Sequence, residues 1–281
     1  MDNNDIMVSI HCLAYNHERY IAEAIEGFLM QKTSFAFEVL IHDDASTDHT
    51  ADIIRKYEKE YPDIIKPIYQ KENQYSKHIS IFRNYQLPRL KGKYYAICEG
   101  DDYWTDPDKL QKQFEAMEEH PEVDICSHSA LLVNADDKTI VRECAPAKEN
   151  CIIPVEKVIE GGGGFVMTNS LFVRKGYDSD ILPFRQQYTY DYSLQIAGAL
   201  RGGMLYLADN MSAYRVLSQN SWVKLQSSDL QKRKKHTERV ELMLNQLNKD
   251  TNYRYNRSIK KVIVRNKMRT FVRTMKRLIK Q

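Results

Sequence analysis

Short apolar runs alternate with helix-patterned stretches at about 30 residues per unit along the first hundred residues, and the spacing predicts a parallel sheet wrapped by helices. The runs are Met7–Leu13, Phe37–His42, Ile65–Tyr69 and Tyr94–Cys98. Between them, helices are expected over Glu18–Met30, where Ile21, Ala24, Ile25, Phe28 and Leu29 share a face, over His49–Glu60, and through Ile81, Phe82 and Tyr85. Three of the four runs stop at polar clusters: Tyr15-Asn16, Asp43-Asp44 and Glu99 to Asp102. In sheets of this kind ligands bind beyond the carboxyl ends of the strands, so the three clusters are expected to converge on one crevice.

The cluster after Tyr94–Cys98 carries most of the chemistry. Glu99, Asp101 and Asp102 place three carboxylates within four residues, at the lip of a buried strand. Crowded there, they raise each other's pKa and lose hydration unless a cation with oxygen ligands neutralises them. Two of the three clusters are acidic, so a bare nucleotide would be repelled. A nucleotide diphosphate bridged by a divalent metal, Mg²⁺ or Mn²⁺, fits. The competing reading is a solvated acidic turn, with Asp106-Pro107 leading into a helix at Lys109–Glu119.

Farther on, Val123–Val133 reads as a strand that continues the sheet, and residues 134–154 as an excursion with strand-like pieces. Gly161 to Gly164 reads as a flexible linker or as a loop that lets a sugar approach, ahead of a strand over Val166–Lys175. Asp191, set among Tyr188, Tyr190 and Tyr192, opens a helix that runs to Leu200; it reads as a general base or as a helix N-cap. Leu205 to Arg215 reads as the last strand of the domain.

The charge is unevenly placed. Eleven of the 41 basic residues and none of the 38 acidic ones lie after Asp250, which leaves residues 1–250 at −8 and the remainder at +11. Two regions with different partners are implied, a body over residues 1–225 and a basic helical extension over 226–281. The extension sets Ile259, Val262, Ile263, Met268, Phe271, Val272, Met275, Leu278 and Ile279 among its cations, a basic amphipathic pattern. Such helices lie on anionic membrane surfaces, pack on a neighbouring domain or bind nucleic acid; the acidic body argues against nucleic acid. No stretch approaches the ~20 apolar residues that cross a bilayer, and the N-terminus lacks the marks of a signal peptide. The five cysteines form no C-x-x-C pair, which suggests neither a zinc site nor a disulfide framework and places the chain in a reducing cytoplasm.

Val8-Ser9-Ile10, Ala14-Tyr15-Asn16, Asp43 to Thr50, Lys91-Gly92-Lys93-Tyr94 and Glu99-Gly100-Asp101-Asp102-Tyr103-Trp104 stand in an order and spacing that resembles family 2 glycosyltransferases, over roughly residues 6–220. The resemblance implies an inverting enzyme of the GT-A fold, a Rossmann-like α/β sheet flanked by helices. Its donor would be a nucleotide-sugar, in the first instance a UDP-sugar, and its acceptor a glycan or lipid-linked glycan in surface-glycan synthesis. The same resemblance makes Tyr15, with Ala14 and Asn16 beside it, the platform for the nucleotide base, and Asp44 the acceptor for the base imide or ribose. It puts Arg83 near the phosphates and Glu99 on metal or ribose. Asp101 and Asp102, unranked, fall to the sugar-nucleotide and the metal, and Asp191 becomes the catalytic base. Trp104 lines the acceptor side or packs beneath the loop. Where many relatives place a histidine that steadies the diphosphate, this chain has Leu217; Arg215, Trp222 and Lys224 are candidate substitutes. A nucleotidyltransferase would need a glycine-rich phosphate loop in place of Ala14-Tyr15-Asn16-His17, and an inactive scaffold would have no reason to keep the four carboxylates.

Overall fold

The computed structural model describes residues 5–177, 182–216 and 230–278. Ten strands form one sheet: β1 (Ile6–Ala14), β2 (Ala36–Asp43), β3 (Ile68–Tyr69), β4 (Tyr94–Ile97), β5 (Tyr103–Trp104), β6 (Ile125–Asn134), β7 (Ile140–Cys144), β8 (Cys151–Ile153), β9 (Phe172–Arg174) and β10 (Met204–Val216). The helices are α1 (Ile21–Leu29), α2 (Thr50–Glu60), α3 (Lys109–Glu119), α4 (Val155–Gly161), α5 (Pro183–Gln187), α6 (Asp191–Ala199), α7 (Leu230–Asp250) and α8 (Asn256–Leu278). The sheet runs β3-β2-β1-β4-β9-β6-β10-β5, with β7 beside β6 and β8 beside β10.

β3, β2, β1 and β4 pair in parallel, as do β6 and β10. Between the two sets lies β9, antiparallel to both β4 and β6. One reversed strand therefore joins two parallel groups that point the same way. Because β9 runs against its neighbours, the segment that enters it starts at the carboxyl edge of the sheet, where the polar clusters are. Of the strand expected over Val166–Lys175 only Phe172–Arg174 pairs; Thr168–Ser170 form a 3₁₀ turn at that edge.

Local chemistry accounts for the other departures. α1 starts at Ile21, not Glu18, because the amides of His17 and Glu18 donate to Thr50 Oγ1 at 2.7 Å and Asp48 Oδ2 at 3.1 Å, outside any helix. Its Ile21, Ala24, Ile25 and Phe28 are buried, as their spacing requires. The third strand shortens to two residues after Pro67, which has no amide for the ladder. The helix expected near Phe82 is one π-helical turn, Phe82–Gln86, followed by a 3₁₀ turn that contains Pro88. α4 was not foreseen, although Val155, Val158 and Ile159 carry the spacing of its buried face. The glycine run ends this helix: Gly161 is its last residue, and Gly162 caps it at φ +80°.

The buried core has two main parts. Val8, Ile10, Ile25, Phe28, Ile41, Trp104 and Phe172 fill one side of the sheet. Ile125, Leu194 and Tyr206 belong to the other, and with them pack Met243, Leu244 and Leu247 of α7, Tyr255 in the turn after it, and Ile259 and Val262 of α8. The basic extension thus shares its core with the sheet. The boundary expected after residue 225 falls outside the described residues, and the packing crosses it.

Candidate active site

β1, β2 and β4 deliver their carboxyl ends side by side, with Ala14 opposite Asp43 and His11 opposite Ile97. The loops that leave them are stitched together. Asn16 adopts φ 56° and Ala45 φ 62°, left-handed turns that reverse the chain after β1 and β2. The Asn16 amide donates to Ser46 Oγ at 2.9 Å, and Asn16 Oδ1 accepts from the Thr47 amide at 2.8 Å. Asn16 therefore joins the two loops, while Tyr15, 38% exposed, keeps its ring at the surface. Ala14 is buried at the end of β1.

Both Asp44 oxygens are engaged: Oδ1 accepts from the Gln74 amide at 2.7 Å and Oδ2 from the Tyr75 amide at 3.0 Å. This buried carboxylate fastens the loop after β3 to the end of β2. Asp43, also buried, is raised above the usual carboxylate range by burial. Asp48 Oδ1 accepts from the Thr50 amide at 2.9 Å, at the first residue of α2. Arg83 donates to the carbonyls of Arg185 at 2.6 Å and Gln186 at 2.8 Å, so it ties the π-helical turn to α5.

After β4 the chain passes through Gly100, where a Cβ would meet Ile21 Cδ1 at 2.8 Å and the Leu13 carbonyl at 3.2 Å. Only glycine allows the acidic loop to press so closely on β1 and α1. Glu99, Asp101 and Asp102 each present a carboxylate oxygen, and these oxygens lie within 4.8 Å of one another. Burial first, then the charges of Asp101 and Asp191, push Glu99 up to about 8. Asp102 is raised well above its ordinary range, by burial and then by Asp101. Its Oδ1 accepts from the Arg215 amide at 2.8 Å, while its buried Oδ2 has no hydrogen-bond partner. Like charges held this close, with an orphaned buried oxygen among them, suit a hard divalent cation; all the donors are carboxylate oxygens.

Asp191 enters from the far half of the sequence, as the first residue of α6. The residue before it, Tyr190, occupies the N-cap position without a side-chain cap bond, so Asp191 is not spent on capping. Thr168 Oγ1, from the turn that enters β9, donates to Asp191 Oδ2 at 2.9 Å. Its surroundings raise Asp191 through desolvation, against the lowering effects of Thr168 and Arg185. Thr168 is followed by Asn169, whose carbonyl accepts from the Trp104 indole beneath the acidic loop, so Asp191 stands at the same edge of the sheet as the trio, and its charge contributes to the rise of Glu99. Tyr214 lies within the same field: burial first, then the charges of Asp102 and Glu99, raise its hydroxyl, while Tyr75 stands 66% exposed at the surface.

Arg215 takes another part than the phosphate role considered for it, and Trp104 takes the second of its two expected parts. Arg215, 2% exposed, donates from Nη1 to the Asp101 carbonyl at 2.7 Å and from Nη2 to Glu23, and its guanidinium lies between the rings of Tyr20 and Tyr103, 5.0 and 4.4 Å from their centroids. It is a buried brace for the acidic loop. Trp104 packs beneath that loop, with its indole N–H donating to the Asn169 carbonyl at 3.0 Å. Leu217, Trp222 and Lys224 lie outside the described residues. Sequence reasoning missed Thr168, Tyr75 and Tyr214, which no local pattern distinguishes.

Residues 9–143 match the family described as Glycosyl transferase family 2. An uncharacterized protein of Mycobacterium tuberculosis is 36% identical over 217 residues, which cover 76% of this chain and 60% of that protein. The UDP-Glc:alpha-D-GlcNAc-diphosphoundecaprenol beta-1,3-glucosyltransferase WfaP of Escherichia coli is 38% identical over 112 residues, 40% of this chain and 41% of its own length. The chain thus spans well under two thirds of these relatives. Among solved structures, S. aureus TarS 1-349 in complex with UDP-GlcNAc superposes with a TM-score of 0.64 at 18% identity, over 86% of this chain and 67% of that one, and shares the GT-A fold. The sheet, the acidic loop at its carboxyl edge and the sequence match agree: this chain carries a glycosyl transferase family 2 domain over residues 9–143.

Proposed function

We propose that this chain is an inverting, metal-dependent glycosyltransferase that moves a sugar from a UDP-sugar to a hydroxyl of a glycan or lipid-linked glycan, at the inner face of a cell membrane, in the synthesis of a surface glycan. One arrangement supports the reading: a crowded carboxylate trio at the carboxyl edge of the sheet, with Asp191 held by Thr168 in the turn that enters β9 at that edge. Inversion by a single displacement needs a base that faces the acceptor while the nucleotide departs from the opposite side. Asp191 suits the first task. Thr168 fixes one of its oxygens, and the exposed carboxylate is open to an approaching acceptor hydroxyl.

Glu99, Asp101 and Asp102 would hold Mg²⁺ or Mn²⁺, which when bound neutralises the charge that gathers on a departing diphosphate. The nucleotide site is assigned to the exposed ring of Tyr15 beside Ala14 and Asn16, with Asp44 holding the loop at Gln74 and Tyr75 next to it. Arg83 is assigned to the phosphates of the nucleotide. The name of the WfaP relative, a UDP-glucose-dependent transferase that acts on a lipid-diphosphate-linked sugar, supports both the donor and the acceptor class. Among the described residues no helix is long and apolar enough to cross a membrane.

The test is turnover of UDP-glucose and UDP-N-acetylglucosamine with a lipid-diphosphate-linked sugar as acceptor, in Mn²⁺ and in EDTA. UDP release and glycan extension that need both the metal and the acceptor are expected. Extension that persists in EDTA would overturn the metal assignment. The absence of extension with any nucleotide-sugar would overturn the function.

A further inference from the structure

α8 is apolar on two faces, and only one of them is used. Ile259 and Val262 are buried against the body, where Lys261 pairs with Glu160 at 2.6 Å and Ser258 Oγ donates to the same carboxylate at 3.0 Å. That face fixes the helix to α4. One helical turn apart on another face, Val264, Met268 and Val272 are 55%, 63% and 48% exposed. Positions i, i+4 and i+8 form a stripe along the helix. Lys260 and Lys261 lie at its start and Arg265 and Arg269 beside it, together lining a shallow apolar depression with Val264 and Met268. The sequence pattern had merged the two faces into one. Packing has separated them, and the outward face is the one that lacks a cover among the described residues.

We propose that this outward face of α8 lies on an anionic lipid bilayer, with Val264, Met268 and Val272 at the acyl boundary and the neighbouring lysines and arginines among the headgroups. Charge selects this occupant. No acidic residue follows Asp250, whereas residues 1–250 carry net negative charge, so a negative surface attracts the helix and repels the body. A second copy of the chain fits poorly. A two-fold contact sets the same patch against itself, which would bring like cations together around only three apolar side chains. Since the opposite face is locked to α4, docking would also fix the orientation of the active site relative to the membrane. The inference rests on the proposed function only in placing the acceptor at a membrane; vesicle binding is read without turnover, so either can fail alone.

The experiment is sedimentation of the full chain with phosphatidylcholine vesicles, with and without phosphatidylglycerol, at low and high salt. The wild type is expected to bind the anionic vesicles and to be released by salt, whose screening shortens the reach of the headgroup charge. The triple substitution Val264→Ser, Met268→Ser, Val272→Ser should weaken binding by at least about tenfold, through lost apolar burial. Lys260→Glu with Arg269→Glu should weaken it by at least as much, since each cation near the surface is worth about fivefold. Because these side chains are exposed, melting temperatures should stay at the wild-type value. No binding by the wild type, equal binding to neutral vesicles, or binding untouched by the triple substitution would overturn the proposal. So would a wild-type dimer that the triple substitution converts to a monomer.

Discussion

The backbone amide of Arg215 donates to Asp102 Oδ1 at 2.8 Å, from the last strand of the sheet to the loop that follows β4. The same residue reaches with its guanidinium to the Asp101 carbonyl and to Glu23 on α1, so Arg215 ties the Asp101–Asp102 end of the acidic loop to α1. The loop is shaped before any cation arrives, which lowers the ordering cost of binding one.

Replacing Arg215 tests that brace. Arg215→Ala leaves the Asp101 carbonyl without its donor and opens the slot between Tyr20 and Tyr103, and should cost about 3 kcal/mol of stability. Arg215→Lys keeps the charge but not the fork, and should cost less. Urea denaturation gives both values. The rise in melting temperature on adding Mn²⁺ should shrink in both variants, and its persistence at full size would mean that the loop is ordered without Arg215.

Asp191→Asn preserves the shape of the side chain but not its basicity. Transfer should slow on the order of 100- to 10,000-fold with donor binding unchanged. Thermal stabilisation by UDP with Mn²⁺ checks the second half of this statement: a lost shift would make Asp191 a donor-binding residue instead.

Removal of one acidic ligand should act in opposite senses on stability and on metal binding. In metal-free protein Asp102→Asn relieves repulsion and should leave stability equal or higher, because a buried charge near Asp101 and Glu99 is gone. Stabilisation by Mn²⁺, which follows mass action, should fall to near zero. Calorimetric titration with Mn²⁺ is the direct measurement.

Lys109 supplies a pH test away from the site. Fully buried, with Nζ 3.9 Å from the centre of the Trp104 ring and 2.7 Å from Gln113 Oε1, it is lowered to about 7, chiefly by desolvation. Between pH 7 and its ordinary value near 10.5 the unfolded chain binds this proton and the folded chain does not, so stability from this group rises with pH. The slope should approach about 1.4 kcal/mol per pH unit for one proton. Lys109→Met should remove that slope between pH 7.5 and 9.5, seen as melting temperatures of the two proteins that converge as the pH rises.

Asp44 is open to the same kind of test. Asp44→Ala strips two backbone amides of their acceptor, at about 1–3 kcal/mol, and frees the loop that carries Tyr75. Faster hydrogen exchange at Gln74 and Tyr75, together with weaker UDP binding, is the expected pair of results.

The sequence by itself determined where the strands end and what chemistry stands there. Apolar runs that stop at Asp43-Asp44 and at Glu99–Asp102 fix those carboxylates to the carboxyl edge of a parallel sheet, because period and polarity are local properties that survive in any tertiary context. Lys109–Glu119 and the start of α6 at Asp191 were legible for the same reason. Only the tertiary structure decided how the side chains were used. It reversed β9 and so brought Thr168 to Asp191; it committed Asp44 to the amides of Gln74 and Tyr75 and Arg83 to the carbonyls of α5; and it buried Arg215, a candidate for steadying the diphosphate, against the Asp101 carbonyl. It also divided the apolar residues of α8 between two faces. Each of those outcomes is a hydrogen bond or a packing contact between elements that are remote in the chain, and hydrophobic periodicity carries no information about which remote partner a polar side chain will meet.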